Sequence, residues 1–342
     1  MKISLLIITT DVTYAKLLSD NISEHHADII DVSVCSTLDG LEEVIAKRKY
    51  NVALIDAMLI EHVKTERIHL PLLLYSENET GMTSPDGCGI INKYQRISSI
   101  ISTVLERYAK ISKYAESFES NQANITAVWS PAGGVGKTSV SIAYALSIVN
   151  NDSIIEGKNV FYLNLEDFSS TPGYFKENGK SISSIFEMLE SRDGNVEMLI
   201  QGISNHNCGI TFLSSPDNYD DMCVLSSENV HDLVLNCAKF TDELIIDLSS
   251  VCDHKVRKVF EIANKILIVT GGLCTAEAKL AQFIVQNNVY ESIKEKVVFI
   301  ANKDAVVNKA KIDTVVSLPL VQSDDALSVC SSLSKHFPKE WS

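Results

Sequence analysis

The chain has 342 residues, 45% of them hydrophobic and 22% charged, enough for two domains with separate cores. Its formal net charge of −14 disfavours a surface that coats nucleic acid or anionic lipid, and no apolar run approaches the ~18 residues of a membrane span. Eight scattered cysteines without a C-x-x-C pair argue against a metal cluster or a disulfide framework and read as reduced, packed thiols.

The first apolar run, 3–8, meets Asp11 with no small-residue cleavage site, so it reads as a strand rather than a signal peptide, and the chain is expected to be cytoplasmic. Ile-, Leu- and Val-rich runs at 29–34, 51–55, 70–75 and 89–92 continue the series, with helical patterns at 13–25 and 38–48. Such alternation predicts a parallel sheet buried on both faces. The stretch 76–88 holds Gly, Pro, Ser and Asp, which predicts a short or absent helix there. Helical spacing over 95–118 closes a first domain, 1–118, and "ESNQAN" (119–124) reads as a linker. The block "AKRKY" (46–50) reads as a solvated helix end.

A second βα series fills 125–342, with strands expected at 124–129, 159–164, 209–213, 242–247, 265–269, 296–301 and 314–318. Helices are expected at 137–150, 226–239 and 275–288, which together predict a doubly wound α/β domain.

Between the strand at 124–129 and the helix that follows lies "SPAGGVGKTS" (130–139). A strand feeding a glycine-rich turn and then a helix makes an anion site, because the turn's N–H groups and the helix N-terminus both favour phosphate. Gly133, Gly134 and Gly136 allow positive φ and close approach of the backbone, Val135 included. Lys137 is placed to bridge the β- and γ-phosphates of a nucleotide, Thr138 to offer a hydroxyl to magnesium, and Ser139 to reach the α-phosphate. Pro131 stands where the common form of this loop has its first glycine.

The spelling "AGGVGKTS" resembles the deviant Walker A loop of the MinD/ParA ATPase family, and the resemblance continues in order along the second domain. "DELIIDLSS" resembles the family's Walker B strand, which implies that Asp247 lies beside the magnesium without binding it directly. "VVFIANKD" implies Asn302 as the reader of the adenine edge, and "VVSLPLVQSDDAL" implies Pro319 beside the base. Two departures stand out. Ala132 occupies the place of the family's signature lysine, and "FYLNLEDF" puts Asn164 and Glu166 where the family has a D-x-D pair. The resemblance therefore implies ATP and magnesium as cofactors, with Lys137 and Glu166 as the catalytic residues and slow hydrolysis for want of a cation.

The first domain resembles a response-regulator receiver, a flavodoxin-like fold: Asp56 ends its third strand, Ser76 its fourth and Lys93 its fifth. A receiver's acidic, magnesium-holding pair is replaced by Thr9 and Thr10, followed by Asp11, which implies a pseudo-receiver used for docking. A receiver-like domain without its acidic pair, joined to a MinD/ParA-like ATPase without its lysine, resembles the TadZ/CpaE family of tight-adherence (Flp) pilus localisation factors. That resemblance implies a homodimer at the cell pole that recruits the pilus secretion machinery. A DNA-riding ParA-like partition ATPase needs a basic patch that the composition does not offer, and a phospho-regulated switch would need Asp56 to be modified. The tail "SSLSKHFPKEWS" is short and interrupted by Pro338, so direct membrane insertion is not expected.

Overall fold

The computed structural model describes residues 2–27, 29–76, 88–111, 123–151, 158–177, 180–192, 194–286, 288–305 and 315–341. The chain divides into two units, Met1–Ala115 and Glu116–Ser342. The expected linker lies, but for its last two residues, outside the described residues, as do 77–87 and the end of the helix expected to reach 118.

The first unit runs β1 (Ile3–Ile8), α1 (Val12–His25), β2 (Ile30–Cys35), α2 (Leu38–Lys47), β3 (Tyr50–Asp56), β4 (Ile68–Tyr75), β5 (Gly89–Asn92) and α3 (Ile97–Ile111). All five strands are parallel, in the order β2-β1-β3-β4-β5 that doubly wound flavodoxin-like sheets share. Leu5, Leu6, Ile7, Val52, Ala53, Leu54 and Ile55 are wholly buried, which is why the central strands read as unbroken apolar runs. Short 3-10 turns at Ala57–His62 and Thr65–Arg67 take the place of a helix between β3 and β4.

The second unit runs β6 (Asn124–Trp129), α4 (Lys137–Val149), β7 (Val160–Leu165), α5 (Ser183–Ser191), α6 (Val196–Ile203), β8 (Asn205–Asn207), β9 (Ile210–Phe212), α7 (Tyr219–Val224), α8 (Ser227–Ala238) and β10 (Glu243–Leu248). It continues through α9 (His254–Ile262), β11 (Lys265–Thr270), α10 (Cys274–Gln286), α11 (Asn288–Ile293), β12 (Val297–Ala301), β13 (Val315–Ser317) and α12 (Ala326–Ser334). The eight strands are ordered β13-β12-β11-β6-β10-β7-β9-β8, and only β8 runs antiparallel to its neighbour. Asn205 and Asn207 give β8 no apolar alternation, so the sequence offered no strand signal there.

Helix α4 is buried on nearly every side, with Val140, Ile142, Ala143, Tyr144 and Ala145 wholly enclosed. A helix apolar all round belongs inside a fold. It packs against the sheet and against Cys330, Leu333 and Phe337, and the Tyr144 hydroxyl donates to the Trp341 carbonyl at 3.1 Å. The start of α4 is thereby fixed at the C-terminal edge of the sheet, where β6 ends.

Candidate functional site

The turn between β6 and α4 takes its shape from two glycines. Gly134 has φ +75° and Gly136, the residue capping α4, has φ +91°. L-residues with a side chain rarely adopt that region. Gly133 is outside it, contrary to the expectation from sequence; its place and that of Gly134 are open, with nothing within 4 Å of a built Cβ. Ala132 is 4% exposed and belongs to the core cluster around α4. A lysine at 132 would have to leave that packing or shift the loop.

Parallel register brings the remaining groups to the turn. Asp247 on β10 lies opposite Val128 of β6 and Asn164 of β7. Lys137 and Thr138 are both nearly buried at the head of α4. The Lys137 ammonium is 3.1 Å from Glu166 Oε1 and donates to Ser250 Oγ at 3.2 Å. The Thr138 hydroxyl donates to Glu166 Oε2 at 3.3 Å, and the Ser139 and Tyr174 hydroxyls share a hydrogen bond of 2.8 Å. One carboxylate thus holds both groups expected to receive phosphate and metal. Asn164 does not replace the missing acid: its Oδ1 accepts from the Glu166 N–H at 2.9 Å, and its Nδ2 donates to the Tyr162 hydroxyl at 2.9 Å.

Asp247 is fully buried. It accepts from the Tyr162 hydroxyl at 3.0 Å, and its Oδ1 has no hydrogen-bond partner among the described residues. Burial, and then the neighbouring Glu166 carboxylate, push Asp247 up to about 7. Burial likewise raises Tyr162 far above its ordinary range, so it stays a neutral donor. A buried, half-satisfied carboxylate near an ammonium and a hydroxyl is a site that a hydrated cation and a polyphosphate would complete. Among the described residues no three His, Cys, Asp or Glu side chains gather as a metal cage. Magnesium here would rest on Thr138 and on phosphate oxygens rather than on a set of carboxylates.

Asn302 follows β12, and its Nδ2 donates to the Val135 carbonyl at 2.9 Å. Lys303 donates through Nζ to the Gly134 carbonyl at 3.0 Å. Pro319 is brought to the same place, since Leu318 N donates to the Ala301 carbonyl and Leu320 N to Asp304 Oδ2. Tyr162, Tyr174, Ser250 and Lys303 were not singled out from sequence. Tyr162 alone had a legible signal, because it stands two residues before Asn164 and so on the same strand face.

At the C-terminal edge of the other sheet, Asp56 Oδ2 accepts from the Thr9 hydroxyl at 2.9 Å and from the Lys93 ammonium at 2.9 Å. Thr9, Asp56 and Lys93 are all buried. Burial alone would lower Lys93, but the hydrogen bond and charge of Asp56 outweigh it and leave Lys93 raised. Asp11 caps α1 by accepting from Tyr14 N, and lies 3.9 Å from Lys93. Ser76 is half-buried just beyond β4.

Neither a family model nor a curated protein sequence matches this chain. Among solved structures, a ParA-family ATPase from Chlorobium tepidum is similar at 19% identity and a TM-score of 0.53, over 65% of this chain and 98% of that one. A plasmid partition protein from Borrelia burgdorferi is similar at 15% identity and 0.48, over 63% and 97%. The septum site-determining protein MinD from Pyrococcus horikoshii, complexed with Mg-ADP, is similar at 11% identity and 0.46, over 60% and 86%. The similarity to the Chlorobium tepidum structure gives the second unit, about two thirds of the chain and the part that holds the loop, the fold of a ParA-family ATPase.

Proposed function

We propose that the second unit binds ATP with magnesium at residues 132–139 and hydrolyses it slowly. The observation that carries this is the turn itself: left-handed glycines, an open outer face, and Lys137 and Thr138 at the head of a buried helix beside Asp247 and Glu166. Lys137 would neutralise phosphate oxygens and Thr138 would meet the metal. Glu166, the carboxylate nearest both, would orient the attacking water. Slow turnover follows from Ala132, which carries no cation, and from Asn164, which carries no charge.

In this reading the nucleotide stabilises a homodimer that serves as a localisation scaffold for tight-adherence (Flp) pilus assembly at the cell pole, as in the TadZ/CpaE family. The first unit, with Asp56 engaged by Thr9 and Lys93, would act as a docking module. The net charge of −14 favours a scaffold over a DNA-bound partition motor. Among the described residues no helix is long and apolar enough to cross a membrane, so attachment would go through protein partners.

Light scattering after size exclusion, with and without ATP and magnesium, tests the reading alongside phosphate release and Lys137→Ala. A dimer that retains ATP and releases little phosphate supports it. A brisk monomer–dimer cycle would favour the partition motor, and loss of polar foci in Lys137→Ala cells tests the scaffold role.

A further inference from the structure

Two consecutive residues with side chains, Lys303 and Asp304, hold left-handed backbone, at φ +60° and +56°. A residue with a side chain is strained in that conformation and persists there only where its surroundings over-determine it. Here they do. Asp304 N donates to the Leu318 carbonyl, Asp304 Oδ2 accepts from Leu320 N, and Asn302 N donates to the Thr270 carbonyl.

What this conformation achieves is a grip on the phosphate loop. Lys303 Nζ reaches the Gly134 carbonyl at 3.0 Å and Asn302 Nδ2 reaches the next carbonyl, that of Val135, at 2.9 Å. In a planar trans peptide the C=O and N–H point opposite ways. Fixing the Gly134 carbonyl therefore turns the Val135 N–H away from Lys303, and fixing the Val135 carbonyl turns the Gly136 N–H away from Asn302. Neither amide donates to a described residue. The approach is close enough that a Cβ on Gly136 would stand 2.5 Å from Asn302 Nδ2 and 3.9 Å from Lys303 Cε.

We infer that Lys303, with Asn302, is a positioning residue for phosphate: the pair preorganises the loop amides as an anion nest, and Lys303 acts through the backbone rather than by reading the base. This rests on the proposed nucleotide site and adds to it the mechanism by which the loop is held ready. Lys303 is exposed, so its replacement leaves the core intact.

The test is calorimetric titration of wild type, Lys303→Met, Lys303→Arg and Asn302→Ala with ATP and, separately, with tripolyphosphate, which has no base or ribose. Lys303→Met is expected to lose about fivefold for both ligands, the size of one hydrogen bond to a charged donor shared with solvent. Lys303→Arg is expected to recover most of it, and Asn302→Ala to weaken tripolyphosphate as well. A loss confined to ATP would make Lys303 a base or ribose contact and overturn the inference, as would no loss for either ligand. Wild type that binds ATP but not tripolyphosphate would also overturn it, because the loop would then not be a preformed cradle. Wild type that binds tripolyphosphate but not ATP, with the variants weakened, would remove the nucleotide reading and leave this inference standing.

Discussion

Replacing Glu166 by Gln is expected to move nucleotide binding and nucleotide hydrolysis in opposite directions. Glu166 holds Lys137 at 3.1 Å and Thr138 at 3.3 Å, with the two charged side chains only 8% and 19% exposed. Polyphosphate must take both partners from it. A charge-assisted bond in such a place is worth about 1.5–3 kcal/mol, and a neutral amide keeps roughly half of that. The substitution therefore raises the free energy of the empty protein by about 1–2 kcal/mol, while the nucleotide complex, in which the pair is already broken, loses less. Affinity for ADP in EDTA, where no metal can recruit the carboxylate, is expected to rise about tenfold, equivalent to 1.4 kcal/mol. The empty variant melts lower and the nucleotide-induced shift in its melting temperature grows. Phosphate release, in contrast, falls by about 10²-fold if this carboxylate orients the water. Titration with a fluorescent ADP analogue in EDTA gives the first number, and a coupled phosphate assay in magnesium the second. Weaker or unchanged ADP binding in EDTA would refute the reasoning, since Glu166 would then not compete with phosphate.

Gly136→Ala combines left-handed backbone with the Asn302 contact and is expected to cost about 1–3 kcal/mol and abolish ATP binding. Gly133→Ala, in open space, is the matched control, within about 0.5 kcal/mol of wild type by thermal melting. Asp247, pushed up to about 7 from 3.8, binds a proton more tightly folded than unfolded, so its contribution is full below pH ~4 and is lost as pH rises through ~7. Asp247→Asn is expected to remove that dependence, about 2–3 kcal/mol between pH 5 and pH 8, read as the wild-type-minus-variant difference in urea unfolding at the two pH values. Asp56→Leu strands a buried lysine and is expected to destabilise the first unit by about 3 kcal/mol, seen as an earlier transition in calorimetry.

Much of this site was legible because its residues are adjacent in sequence and their chemistry is local. A strand, a glycine turn and GKT mark out where phosphate would sit, and Asp247 and Asn302 fall at strand ends that apolar runs announce. Contacts that depend on which strand lies beside which were not legible. Nothing in "LNLED" reveals that Glu166 closes on Lys137, because that follows from β7 and β6 lying on either side of β10. Ala132 reads in sequence as a missing cation, whereas in the fold it is also a buried methyl group. Lys303 carried no signal, since its role arises from a backbone conformation that its residue type does not favour. Gly133 shows the reverse error: its residue type suggested left-handed backbone that the turn needs only at its neighbours.

The edge of the first sheet has a consequence for how the two units answer to their surroundings. Thr9, Asp56 and Lys93 meet there, and among the described residues the buried charges at that edge are one carboxylate, Asp56, and one ammonium, Lys93, which cancel. Asp11, more than a third exposed, is screened by water and salt. Such a site has no standing demand for a divalent ion. The first unit is therefore expected to keep the same shape across the range of magnesium that a growing or starving cell presents, while nucleotide occupancy of the second unit rises and falls with it. The first unit would serve as a constant address, and the second as the variable that reports metabolic state.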